Sequence, residues 1–229
     1  SLGEKWGYQF FNAPLAILVN KFSASASEIL AGAIQDYDRG LVIGTETFGK
    51  GTVQRVDQLT SGQLKFTESK FYRVSGSSTQ NEGVTPDISL PTIIDIDEVG
   101  ENQLPGALEH DNIPTTRYRD FGRINPYLDE LKEKNSERIS QSAFYQNLNL
   151  RKEWRELQQI DWLELNLEKR RAIKDRTEKE LLALENSLRF QMNIKTFSTY
   201  QEFLDREDDP DKISFDKKEI KETANILID

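Results

Sequence analysis

The stretch PLAILVNKFSASASEILAGAIQDYDRGLVIG, residues 14–44, decides how the chain is read. Its opening, PLAILVN (14–20), is a short apolar run of β-formers closed by Asn and predicts a buried strand. SEILAGAIQDY (27–37) places Ile29, Leu30, Ala33 and Ile34 at helical spacing, and GLVIG (40–44) is a second apolar run bracketed by glycines. The order strand, helix, strand points to an α/β arrangement. Between the first strand and the helix, Ser23, Ser25 and Ser27 alternate with alanines. Serine is poorly suited to burial and well suited to a helix start. The serines are therefore either caps or the place where a hydroxyl does chemistry.

Working outward, GTVQRVDQL (51–59) and GQLKFTESKFYRV (62–74) alternate around the loop TSG and predict a hairpin. GVTPDISLP (83–91) reads as a short strand between prolines. From 92 to 124 periodicity is lost and turn residues dominate, as in a long connection. From Pro126 the composition shifts to Glu, Lys, Arg and Leu. PYLDELKEKNSERI and TEKELLALENSLRF predict helices, and DWLELNLEKRRAIKDR (161–176) is either a strand leading into a helix or helix throughout. Leu181, Leu184 and Leu188 form a stripe suited to packing on another helix. The expected division is 1–92, an irregular connection over 93–125, and a helical region over 126–229.

Bulk properties remove several function classes. The 229 residues suffice for one large domain or two modest ones. The net charge of -9 gives phosphate binding no global support, so no nucleic-acid partner is expected. The basic run KRRAIKDR is flanked by acids and reads as a solvated helix face. There are no cysteines, which excludes disulfides, thiolate nucleophiles and cysteine metal sites. The single histidine, His110, rules out a multi-histidine metal site and reads as an ordinary loop residue. No apolar run reaches membrane-span length. The opening SLGEKWGYQFF has no signal-peptide pattern and reads like the interior of a longer protein, so a fragment is expected.

A serine hydroxyl is a weak nucleophile without a base, and a lysine serves as one when burial disfavours its ammonium. TETFGKGTVQ (45–54) sets Lys50 between Gly49 and Gly51 just after the second strand. On spacing alone G-K-G is a weak motif and reads first as a turn with a solvated lysine. Taken together, S-A-S-E-I-L-A-G-A, the Q-D-Y-x-R-G helix end and T-F-G-K-G-T-V-Q resemble the tail-specific, or carboxy-terminal processing, serine proteases. KFYRVSGSSTQNEGVTPDISLP looks like the same family's closing segment, so residues 14–91 are covered densely. LELNLEKRRAIKDR more weakly resembles the C-terminal domain of the larger bacterial members.

The resemblance implies a crotonase/Clp-protease-like α/β catalytic half followed by a mostly helical C-terminal domain. In the family the nucleophile precedes the lysine by 25 residues, which selects Ser25 and leaves Ser23 and Ser27 as loop and cap residues. Ser25 would stand at a helix start, where free N–H groups favour developing negative charge, and the Ala26 N–H would be half of an oxyanion hole. Gln54 would share a strand face with Lys50 and Thr52, and the resemblance gives it an orienting role. Asp36 occupies the family's acidic position, with Lys50 or Arg39 as its partner.

The implied activity is a serine endopeptidase using a Ser-Lys dyad, with no metal and no cofactor. The implied substrates are proteins with apolar C-terminal tails, captured by a PDZ domain upstream that this chain lacks, in the periplasm or at the inner membrane. An adaptor lipoprotein is a further candidate partner. The fragment alone is expected to be nearly inactive. The rival reading is a non-catalytic peptide-binding or adaptor module on the same scaffold.

Overall fold

A computed structural model describes residues 11–94, 98–159 and 162–229. The apolar runs around the serines form β1 (Ala16–Val19) and β2 (Leu41–Gly44), joined by α1 (Ala26–Asp36). They pair in parallel, Ala16 opposite Leu41 and Val19 opposite Gly44. β5 (Ile88–Ser89) joins the far side of β2, giving the order β1-β2-β5. β2 is therefore central, and all four of its residues are buried. Its alternating side chains serve two layers. Val42 packs with Val19, Ala31 and Val84 beneath α1. Leu41 and Ile43 pack with Ile88, Leu90, Leu131 and Ile226 on the opposite face.

PLAILVN differs from its expectation. Among the described residues β1 is an edge strand, mostly half-buried with Leu18 exposed, because only β2 pairs with it. The hairpin forms as β3 (Thr52–Gln58) and β4 (Gln63–Lys70), with Gly62 at φ +92° closing the turn. It is a two-stranded ribbon exposed along most of its length.

Leu131 and Ile226 come from α2 (Leu128–Gln141) and from the last helix, α6 (Phe215–Ile228). Between them lie α3 (Ala143–Gln158), α4 (Leu167–Gln191) and the short α5 (Tyr200–Leu204). The leucine stripe packs as expected: Leu188 is buried against Phe144, Tyr145 and Leu148 of α3. Of 161–176, Asp161 lies outside the described residues and Trp162–Asn166 is neither strand nor helix. The Asn166 side chain accepts the Lys169 N–H at 3.1 Å and starts α4. The expected helical region over 126–229 thus also holds α3 and α6, whose bounds the periodicity does not mark.

The described part of 93–125 is a strap tied to the sheet layer by its own backbone. Glu101, Ile113, Thr116 and Phe121 donate to the carbonyls of Phe48, Gly76, Val74 and Tyr37 at 2.8–2.9 Å. The Asp38 carboxylate then accepts the Ile124 and Asn125 N–H groups, at 3.3 and 3.2 Å, just before α2. Among the described residues no helix is long and apolar enough to cross a membrane.

Candidate active site

Ser25 is the N-cap of α1, with φ 58° and ψ −112°. Caps ordinarily have extended backbone, and a non-glycine residue at positive φ is strained. Such strain persists only where the surroundings enforce it, and here the enforcing group is Glu28. Its side chain is fully buried. One carboxylate oxygen accepts the Ser25 N–H at 2.7 Å and the Lys50 N–H at 2.9 Å. The other accepts the Thr47 hydroxyl at 2.6 Å and the Gly49 N–H at 2.7 Å. The spacing of Ser25 and Glu28 is that of a capping box. That signal lies in S-A-S-E. Burial of a carboxylate demands such satisfaction, so one side chain ties the serine turn to the lysine turn.

Other contacts reinforce the junction. The Phe48 N–H donates to the Ser23 carbonyl at 3.0 Å, and the buried Lys21 ammonium pairs with Glu46 at 3.3 Å. The Thr47 hydroxyl also accepts the Val84 N–H at 2.7 Å, which brings in G-V-T-P-D. Gly49 and Gly51 press on the segment behind them. A Cβ on Gly49 would lie 2.8 Å from the Asn81 carbonyl carbon, and one on Gly51 would lie 2.6 Å from the Gln80 nitrogen. Their lack of side chains is what lets the lysine turn sit this close.

Lys50 is half-buried, and among the described residues its amine makes no hydrogen bond to the Ser25 hydroxyl. The backbones of Ser25 and Lys50 are nonetheless held by one carboxylate, that of Glu28. Ala26, first in α1, is an exposed residue, and its N–H has no acceptor among the described residues. Gln54 is exposed on β3, just past a bulge that leaves Glu68 unopposed on β4, and no hydrogen bond joins it to Lys50.

Asp36 is not placed on either partner weighed for it. It forms a forked pair with Arg73, whose Nη2 donates at 2.5 Å and Nε at 3.0 Å. Arg73 also donates to Gln35 at 2.8 Å, and Gln35 donates to Asp87 at 2.7 Å. Arg39 is committed elsewhere, donating to the Phe11 carbonyl at 2.8 Å. Nothing local in the sequence flags Arg73, which lies 37 residues from Asp36. His110 rests against the Gln80 carbonyl at 3.2 Å and the Glu82 carboxylate at 3.5 Å.

A parallel βαβ unit with a strained serine at its helix start, pinned to a glycine-flanked lysine, is a hydrolase-like constellation. The model for peptidase family S41 matches residues 3–90, and that for the C-terminal domain of tail specific protease matches residues 94–229. The chain belongs to the tail-specific proteases of family S41. It is 43% identical over 185 residues to the tail-specific protease of Haemophilus influenzae, covering 73% of this chain and 26% of that protein. It is 51% identical over 76 residues to the carboxy-terminal-processing protease of Bartonella bacilliformis, covering 33% of this chain and 18% of that one. The solved photosystem II D1 C-terminal processing protease shares 43% identity over 37% of this chain and 22% of its own, with a TM-score of 0.33. The chain therefore spans about a quarter or less of the length of these relatives.

Proposed function

We propose that this chain carries the nucleophile and base of a serine endopeptidase that cleaves proteins recognised by apolar C-terminal tails. The observation that carries this reading is the Glu28 carboxylate holding the backbones of both Ser25 and Lys50, with Ser25 in a strained conformation. In the forward step the Ser25 hydroxyl oxygen bonds to the scissile carbonyl carbon while its proton passes to the Lys50 amine. The oxyanion that forms lies at the start of α1, where the free Ala26 N–H donates to it. Collapse breaks the C–N bond, and the Lys50 proton leaves with the amine. Water then attacks the acyl-serine ester with Lys50 again as base, releasing the acid and restoring Ser25.

Gln54 orients the lysine amine from the neighbouring strand. Asp36 acts through Arg73, bracing α1 against the segment after β4. The topology extends to a crotonase-like fold once the regions carried by longer relatives are joined. A PDZ domain in those regions captures the tail, an adaptor lipoprotein is a candidate partner, and the periplasm is the place of action.

The test uses the complete gene product and an unstructured polypeptide ending in apolar residues. Ser25→Ala and Lys50→Arg both abolish cleavage with folding intact, since a guanidinium does not release its proton. A phosphonate serine probe labels Ser25, located by peptide mass mapping. Robust cleavage by Lys50→Arg refutes the lysine base, and labelling at another serine refutes the nucleophile.

A further inference from the structure

The helical portion holds a cavity of about 200 Å³ that no step of the proposed cleavage uses. Much of its wall is apolar: Phe144 and Leu148 of α3, Leu188 of α4, and Ile213 and Phe215 around the start of α6. Three arginines, Arg151, Arg189 and Arg206, share the rest of the wall with Glu185 and Asn147. An arginine on an open surface needs no explanation. A guanidinium on the wall of a largely apolar cavity has given up part of its water, and it cannot shed its charge.

The charges around the cavity do not balance. Arg151 donates from Nη2 to Glu185 at 2.6 Å and from Nε to Asn147 at 2.7 Å. Arg189 donates from Nη1 to Asp209 at 2.7 Å, and the same nitrogen lies 3.7 Å from Glu185. Arg206 has no carboxylate partner among the described residues. Its Nη1 donates to the Phe203 carbonyl at 2.9 Å, and its guanidinium lies over the Phe203 ring at 4.2 Å. Two arginines therefore share Glu185, and three guanidinium groups face two carboxylates. One positive charge is left over, in a chain whose net charge is -9.

The cluster is held in place without a ligand. Arg189, Glu185 and Asn147 are all buried, and Asn147 is tied to the Leu184 carbonyl at 2.7 Å. Groups fixed in advance lose little freedom when something binds. An excess of one positive charge matches a monoanion, and the planar fork of a guanidinium matches a carboxylate. The apolar wall calls for an apolar body behind that carboxylate. An apolar cavity of about 150 Å³ takes a molecule the size of benzene, which sets the scale of that body.

We propose that this cavity binds a monocarboxylate carrying an apolar body of about phenyl size, with Arg206 as the cation that receives it. The carboxylate comes either from a free organic acid or from the last residue of a polypeptide, which present the same chemistry. None of the residues lining the cavity belongs to the Ser25 or Lys50 turn, so the inference does not rest on the proposed cleavage.

The complete gene product is titrated calorimetrically with 3-phenylpropionate, 3-phenylpropionamide and acetate. The aromatic acid binds. The amide, which lacks the charge, and acetate, which lacks the apolar body, each bind about tenfold or more weakly. Arg206→Met keeps a side chain on the Phe203 ring but removes the cation, and it weakens the aromatic acid by about tenfold or more. Ile213→Trp fills the cavity and removes binding; circular dichroism checks that both variants fold, and Arg206→Met carries the test alone if Ile213→Trp does not. Competition separates the two sources, in a Ser25→Ala background so that no peptide is consumed. Displacement of the aromatic acid by a peptide ending in Phe, but not by the same peptide amidated at its C-terminus, supports the site with a chain terminus as its ligand. Binding of the aromatic acid that neither peptide disturbs supports it with a free acid. No binding of the aromatic acid, equal binding of acid and amide, or undiminished binding by folded Arg206→Met overturns the assignment.

Discussion

Glu28 and Arg189, one in each half of the chain, are buried charged side chains of opposite sign, and they are held in different ways. Glu28 has no cation beside it among the described residues; three backbone N–H groups and one hydroxyl satisfy it. Arg189, equally buried, is held chiefly by side chains. Asp209 lies at 2.7 Å, Glu185 at 3.7 Å and the Phe197 ring at 4.2 Å, with the Lys195 carbonyl as a further acceptor. A carboxylate bound to backbone donors fixes where the chain itself runs, whatever side chains stand at those positions. A guanidinium bound to carboxylates and a ring fixes how helices pack, and its partners can be exchanged in concert.

Substitutions that treat the two alike test this contrast. Glu28→Gln presents amide hydrogens to a cradle built of donors. It is expected to cost about 3–5 kcal/mol in denaturant unfolding, the range for leaving buried polar groups mispaired, and to abolish cleavage by the complete gene product. No second substitution restores it, because three of its partners are backbone. Unfolding like the unsubstituted protein would break the contrast at once.

Arg189→Met is expected to cost about 3 kcal/mol, since it strands the carboxylate of Asp209. The Arg189 hydrogen bond holds that carboxyl below its ordinary pKa, so its share of stability is present above the unfolded value near 3.8 and is lost as pH falls through the depressed folded value. Arg189→Met combined with Asp209→Leu recovers stability to within about 1 kcal/mol, because an apolar pair replaces a buried ion pair at little cost. Failure of the double variant to recover would place Arg189 in the same class as Glu28.

A smaller effect separates the halves by pH. Burial, with help from Asp216, pushes the Glu219 carboxyl up from 4.5 to about 7. A raised acid binds its proton more tightly when folded. The contribution of Glu219 to stability is therefore largest below about 4.5, falls as pH rises to about 7, and levels off above that. Glu219→Gln removes this slope and raises stability at pH 8 by about 1 kcal/mol, allowing for solvent screening at this half-buried site. Calorimetry across pH 4–8 reads it out, and an unchanged slope would discard the assignment. Smallest is the α4 cap, where Asn166→Ala is expected to cost about 0.5–1 kcal/mol.

The sequence disclosed what depends on neighbours along the chain. Apolar periodicity located β1, α1, β2, the hairpin, α2 and part of α4, and the resemblance singled out Ser25 and Lys50. It did not disclose what depends on distance in space. Asp36 finds Arg73 across a hairpin, and the strap over 98–124 is held by backbone bonds that leave no pattern in side-chain type. PLAILVN looked buried because its composition suits a central strand, yet its place at the sheet edge depends on which strands pair with it. Glu28 was legible in principle. Its three-residue offset from Ser25 is a local signal that marks a helix start, but nothing local says that the same carboxylate also reaches Gly49 and Lys50.

The family boundary falls between residues 90 and 94, but the layer that buries Leu41 and Ile43 crosses it to reach Leu131 and Ile226. For anyone recombining relatives, this makes the helical portion a poor interchangeable part. A graft cut at that boundary inherits a lining shaped against another protein's central strand. Only chimaeras that carry the facing positions together preserve the seam. The history of the two portions is then expected to be one of joint descent, with a change in one recorded as a compensating change in the other.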